Sequence, residues 1–286
     1  MRFPRSSRLA LMGLGCLLAS TTALAAPAQT SATGQGAFEA FDRLLDQEWQ
    51  YQLKNAPELA TSIGDYRYND RWTDLSVAHI KGSVPVLNGF LKQFEAIAPA
   101  SLDDQRQISR AMIIQQLQDT LEGIRLKTYE MPIDQMNGAQ LQYPGFVSSI
   151  PFDSTRHYED YLARLRAIPK AIDQVIALAR LGEKDGLMPP RFLLEKAELQ
   201  VEQIAAPEGE KSPFGEPVTK FPAAVPAADQ ARLRKAIIAA IDHDVRPAYQ
   251  RLAAFMKQGY SAHGRTQDGV WALPGGEDSI ATIFVP

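Results

Sequence analysis

Apolar positions recur at helical spacing in segment after segment of this chain, and no stretch alternates apolar and polar residues long enough to propose a strand. Phe38, Phe41, Leu44, Leu45 and Trp49 make one apolar face of a helix beginning at Ala37. Asn55 then reads as an N-cap, with Pro57 in the first turn, Glu58 at the capping-box position and Gly64 closing a short helix. A polar, aromatic-rich loop follows from Asp65 to Ser76. Ser76 caps the next helix, which runs to Ile97 with Ile80, Val84, Leu87, Leu91 and Phe94 on its face and with Pro85 able to displace its start. Ser101, with Asp103 and Asp104 in the first turn, opens a longer helix to Lys127. Its predicted buried stripe is Ile108, Met112, Leu117, Leu121 and Ile124.

Residues 128–154 break the period. Pro132, Pro144 and Pro151 interrupt a segment rich in amides, including Gln135, Asn137, Gln140 and Gln142. A structured loop of this length is uncommon and is often functional. Thr155 begins a strongly amphipathic helix through Tyr158, Tyr161, Leu162, Leu165, Ile168, Ile172 and Ile176. Pro189-Pro190 starts another that ends near Ile204. Residues 206–226 form an irregular, proline-rich connector. One long helix then spans Ala227 to Tyr260, with a kink expected where Pro247 removes a backbone donor. There is no internal repeat. The predicted fold is all-α, a multi-helix array of long amphipathic helices joined by irregular Pro-rich loops.

Apolar residues make up 45% of the chain and charged residues 22%, the balance of a soluble globular protein. The net charge of −3 comes without a long run of either sign, which leaves no basic face for nucleic acid. The first residues change the picture. Arg2, Arg5 and Arg8 precede an apolar or small stretch from Leu9 to Ala25, and Ala23-Leu24-Ala25 fits an export cleavage site. Residues 1–25 are therefore predicted to be a signal peptide, 26–36 a flexible lead-in and 37–271 the helical domain. No later window approaches the ~20 apolar residues of a membrane span. The expected location is the periplasm or the exterior. The alternative is a lipoprotein acylated at Cys16, against which Gly13 stands where an aliphatic residue is usual. Cys16 is the single cysteine, so cleavage after Ala25 leaves a chain without disulfide or thiolate chemistry.

Local motifs for chemistry are sparse. A helical zinc site of the H-E-x-x-H type needs two imidazoles one turn apart with a glutamate between them. His157 is followed by Tyr158-Glu159-Asp160-Tyr161, which supplies neither the adjacent glutamate nor the second histidine. His243, between Asp242 and Asp244, reads as a solvated or capping pair, and no serine lies in a nucleophile elbow. The carboxylate pairs Asp103-Asp104 and Glu159-Asp160 occupy first turns, where the helix dipole accounts for them. The loop from Asp65 to Arg71 mixes aromatic faces with guanidinium donors, a combination suited to peptide or carboxylate recognition. The plainer reading is a loop pinned by Arg–Asp pairs.

Several segments resemble the bacterial family known as domain of unknown function 885. They are Ser62-Ile63-Gly64-Asp65 through Tyr68-Asn69-Asp70-Arg71, then Pro132 to Gly138, then Tyr158 to Ile168 with Asp173-Gln174-Val175-Ile176. Gly186-Leu187-Met188-Pro189-Pro190, Pro247-Ala248-Tyr249 and Leu273-Pro274-Gly275-Gly276 follow in the same order. The resemblance implies an exported or lipid-anchored helical protein, longer than this chain, of the gluzincin zinc-metallopeptidase type. It also implies that the H-E-x-x-H motif falls beyond the L-P-G-G segment. No position here matches a family zinc ligand or catalytic glutamate. The chain is accordingly expected to carry no catalytic, cofactor-binding or metal residues, with zinc only in the absent half.

Residues 272–286 fit that expectation as a truncated tail. Asp278 to Pro286 has no helical period or polar face, and one codon choice for Ile280 to Pro286, read one base earlier, spells Tyr-Arg-His-His-Leu-Arg-Ala. A one-base shift near codon 278 would produce this. Three functions compete. The first is the N-terminal half of a peptidase-like protein, inactive alone, forming one wall of a peptide channel and able to dock in trans with a C-terminal half. Arg67, Tyr68, Asn69, Gln135 and Asn137 would line that channel, and apolar stripes meant for the other half would be exposed. The second is a self-contained helical module binding peptides or cell-wall fragments. The third, a metallopeptidase within this chain, would need scattered ligands such as His157 and His243 to converge.

Overall fold

The computed structural model describes residues 32–276. Among these residues the regular elements are helical, as the periodicity predicts, and the one β feature is an isolated bridge between Pro190 and Arg265. The principal helices are α1 (Ala32–Asn55), α2 (Pro57–Ser62), α3 (Val77–Ala96), α4 (Asp104–Arg125) and α5 (Ala139–Gly145), then α6 (Thr155–Asp185), α7 (Arg191–Ala205), α8 (Ala227–Ala240) and α9 (Arg246–Phe255). No helix among the described residues is long and apolar enough to cross a membrane. The predicted signal, Cys16 and the tail from Asp278 onward lie outside the described residues.

Two apolar clusters organise the helices. The larger is centred on α6, whose inward residues Tyr158, Tyr161, Leu165, Ile168 and Ile172 pack with Leu194 and Val201 of α7 and with Leu233, Ile237, Tyr249 and Leu252 of α8 and α9. The smaller joins Phe41 and Leu44 of α1, Leu87 and Phe94 of α3, and Ile113 and Leu117 of α4. Its centre is an edge-to-face contact of Phe41 with Phe94, ring centroids 6.0 Å apart.

Helix ends follow local chemistry. Ser76 caps α3 as predicted, its hydroxyl accepting from His79 N–H at 3.2 Å. Ser154 does the same for α6. Gly186, at φ +77°, ends α6 in the left-handed conformation, and Leu187 N–H reaches back to Gly182 C=O at 2.7 Å. The Pro274 ring of the L-P-G-G segment packs over this glycine.

Five local expectations need correction. Helix α1 starts at Ala32, inside the stretch read as a lead-in. Asn55 is the last residue of α1 and turns its amide back to Tyr51 C=O at 2.7 Å, so it does not cap α2. Asp103, not Ser101, caps α4, accepting from Arg106 N–H at 2.9 Å, because Ser101 belongs to a separate 3-10 turn over Pro99–Ser101. Pro85 sits inside α3 without moving its start. The predicted stripe of α4 also fails at its first positions: Ile108 is 56% and Met112 68% exposed, while Ile113 and Leu117 are buried.

The helix predicted to run from Ala227 to Tyr260 passes through a wider π-turn at Ile241–Val245 and breaks before Tyr260, at Gly259, whose φ of +152° is non-helical. In the π-turn Arg246 N–H bonds to Ile241 C=O, one residue further back than in an α-helix. The extra residue lies just ahead of Pro247, whose ring would otherwise crowd the preceding turn.

Candidate functional site

The loop between α2 and α3 and the α5 region meet over α6, and the meeting point is aromatic. Trp72 stands edge-on to Tyr143 of α5, centroids 4.9 Å apart, and to Phe146 in the following turn at 5.6 Å. The Arg164 guanidinium of α6 lies 4.9 Å from the Trp72 ring centre and 4.8 Å from that of Phe146. Both aromatic faces favour a cation there.

Arg164 is fully buried, and its bonds hold the loop in place. Its Nε donates to Arg71 C=O at 3.0 Å, and its Nη2 donates to Thr61 Oγ1 at 2.9 Å. Trp72 Nε1 donates to Arg164 C=O at 2.9 Å. Thr61 Oγ1 also lies 2.9 Å from Asn69 Oδ1 and 3.0 Å from Pro57 C=O. Burial pulls the Arg164 pKa down to about 10, against the opposing pull of Glu58, Asp160 and Asp70, so the group stays charged at neutral pH. Its Nη1 is buried and has no hydrogen-bond partner among the described residues.

A cavity of about 560 Å³ opens beside this frame, walled by Leu59, Trp72, Tyr143 and Phe146 with Glu58 and Ser149 at its edge. Glu58 is fixed by Thr73, whose hydroxyl donates to Oε2 at 2.6 Å and whose N–H donates to Oε1 at 3.1 Å. Burial, reinforced by Glu58, pushes the Tyr143 phenol up, so it stays protonated. The loop is anchored beyond the cavity too: Gln174 of α6 accepts from Leu75 N–H at 3.1 Å and donates to Asp74 at 2.6 Å. An apolar wall with one held carboxylate suits an apolar side chain next to an amide or amine donor.

None of the five residues expected to line a channel lines this cavity. Arg67 is exposed and forks onto Asp65, with Nε to Oδ1 at 2.9 Å, which holds that carboxyl below its ordinary range. Its Nη2 also donates to Gln50 at 2.7 Å. Tyr68 lies between the Arg67 and Arg71 guanidinium groups, 5.3 and 5.8 Å from its ring centre. Asn69 is buried against Thr61. Gln135 offers its carbonyl to Gln200 of α7 at 3.0 Å, and Asn137 is exposed in a turn closed by Asp134. No hydrogen bond or ring contact joins Arg67, Tyr68 or Asn69 to Gln135 or Asn137 among the described residues. The two segments singled out in the sequence do converge, through Trp72, Tyr143 and Phe146. Arg164 carried the clearest overlooked signal, a charged residue at the helical spacing of the Tyr161–Leu165–Ile168 stripe.

Among the described residues no three His, Cys, Asp or Glu side chains converge to hold a metal ion. His157 Nδ1 is 2.7 Å from Asp153 and its ring meets Tyr66 edge-on, while His243 is exposed.

The bacterial protein family of unknown function DUF885 matches residues 57–282, from the first residue of α2 through α9 and beyond. The chain belongs to that family. The DUF885 chain also shares its fold with a crystal structure described as that of "the putative lipoprotein from Colwellia psychrerythraea", at a TM-score of 0.72 and 19% identity. The similarity covers 87% of this chain and 45% of that one, so the DUF885 chain spans less than half the length of its structural relative. No curated protein matches the sequence.

Proposed function

We propose that this helical unit forms one wall of a peptide-binding channel in an exported, zinc-metallopeptidase-type protein of the DUF885 family. In this reading the zinc ligands lie outside the residues of this chain, which has no catalysis by itself and docks with the zinc-bearing part. The observation that carries it is the cavity at Trp72, held open by the buried Arg164 frame and edged by Glu58. Partial coverage of a longer relative and the exposed Ile108 and Met112 of α4 fit a unit that has further protein to meet. The lipoprotein description of that relative, with Arg2, Arg5, Arg8 and the Ala23-Leu24-Ala25 site, supports export.

Peptide titration followed by calorimetry tests the reading. Short peptides with an apolar side chain beside a free amine should bind the intact chain without being hydrolysed. Trp72→Ala should weaken them by about tenfold or more, the scale of an aromatic anchor. Failure of every such peptide to bind would defeat it. A second reading, a self-contained peptide-binding module, is favoured by the fact that Trp72, Glu58, Tyr143 and Arg164 all come from this chain. Hydrophobic-dye binding separates the two: an exposed docking face should bind dye, and a finished module should not.

A further inference from the structure

A second cleft, of about 580 Å³, runs between α6 and α9 and ends at the turn after α9. Asp173, Ile176, Ala177, Arg180 and Glu183 line one side at the spacing of a single helix face. Charge along it is ordered. At one end Arg251 Nη2 pairs with Asp173 at 3.0 Å, and at the other His263 Nδ1 pairs with Glu183. Between them Arg180 has no hydrogen-bond or carboxylate partner among the described residues, its guanidinium lying 5.5 Å from the ring centre of Phe255. Arg251 offsets the Asp173 charge, whereas His263 offsets that of Glu183 only when protonated, and the exposed Arg180 presents a guanidinium with no carboxylate partner among the described residues.

The floor is apolar and its far wall is unusual. Ala177 and Ala254 keep the middle of the cleft open beside Ile176. Helix α9 gives way to a kink over Met256–Tyr260, in which Gly259 takes φ +152°, a conformation a side chain would strain. That kink stacks Tyr260 on Phe255, centroids 4.9 Å apart, and places it in the cleft wall. Tyr260 is buried, and its hydroxyl has no partner among the described residues. Burial, with Glu183 nearby, keeps the phenol protonated and able to donate.

We propose that the α6–α9 cleft binds a carboxylate carried on a small apolar or aromatic body, such as the C-terminal residue of a peptide, with Arg180 receiving the carboxylate. A guanidinium matches a carboxylate through two parallel bonds, while Ala177, Ala254 and the Phe255–Tyr260 stack accept the body. A dianion is disfavoured by the flanking Asp173 and Glu183 carboxylates. The assignment uses none of the residues at the Trp72 cavity and stands apart from the channel reading.

The test is calorimetric titration of the 286-residue chain with N-acetylphenylalanine, N-acetylphenylalaninamide and inorganic phosphate. The acid should bind saturably, and the neutral amide and phosphate at least about tenfold more weakly, the scale of one charge-assisted fork. Arg180→Ala should lose about tenfold or more and Arg180→Lys less. Ala254→Leu, which fills the groove and leaves its charges intact, should also abolish binding. It decides the matter if Arg180→Ala melts early. No binding of the acid, equal binding of the amide or phosphate, or full affinity in Ala254→Leu would overturn the proposal.

Discussion

Helix α6 buries thirteen of its 31 residues, whereas α4 buries Ile113 and Leu117 of its 22 and leaves Ile108 and Met112 in solvent. Both are amphipathic helices of the same chain. The difference lies in their neighbours: α6 is covered by α8, α9 and the 128–149 segment, while α4 has α3 on one side and α1 beyond a groove containing Leu45, Trp49 and Met112. A sequence stripe therefore predicts a face that can be buried, and only the packing decides whether it is. The candidate site sits on the well-covered region, where Arg164 of α6 fixes Trp72, and the thinly covered one offers the apolar surface.

The sharpest break of this comparison is Arg164→Ala. It would remove a buried cation, leave Arg71 C=O without its Arg164 donor, take one donor from Thr61 Oγ1 and open a gap between the Trp72 and Phe146 rings. We expect a loss of about 3–5 kcal/mol in denaturant unfolding, together with exposure of Trp72. Next come matched cavities. Leu165→Ala in the large cluster and Leu117→Ala in the small one both remove fully packed side chains. Within the ~2–5 kcal/mol range for such changes, Leu165 should cost the more, because the thinner lobe collapses more easily around its loss.

Glu48 sharpens the comparison through pH. It is 4% exposed in the α1–α4 groove, and burial raises its carboxyl above the ordinary value of 4.5. A raised carboxyl favours folding while protonated, and that advantage is lost as pH climbs from the unfolded value through the folded one. Glu48→Gln should therefore raise Tm at pH 7 and change it little near pH 4; equal effects at both would remove the assignment. A smaller effect is expected at Asp103→Ala, about 1 kcal/mol for the lost α4 cap, read by thermal melting. Ile108→Lys should shift stability by no more than about 0.5 kcal/mol while reducing hydrophobic-dye binding.

Much of the helix order was legible because the 3.6-residue period is clear within the helical segments between Phe38 and Tyr260, outside 128–154 and 206–226, and because Ser76 carries a clear cap. Misplaced ends occurred where several capping residues stand close together, as at Ser101 and Asp103, or where an asparagine found a nearer carbonyl, as Asn55 did with Tyr51. The site was legible only as two segments. Arg67, Tyr68, Asn69, Gln135 and Asn137 stand out in the sequence because they sit in a loop mixing aromatic and guanidinium groups and in a long amide-rich segment. Asn69 is spent on its own framework, and Arg67, Gln135 and Asn137 are held by Asp65, Gln200 and Asp134. Trp72, Tyr143 and Phe146 carry no local signal of a site, because only long-range packing brings them together.

Hydrogen exchange read by mass spectrometry along the whole chain tests the contrast between the two regions most directly. Amides of α6 should exchange last, residues 69–76 should be protected with them through Arg164 and Gln174, and α1 and α4 should exchange markedly sooner. Equal rates in α4 and α6, or a fast 69–76 loop beside a slow α6, would contradict the account.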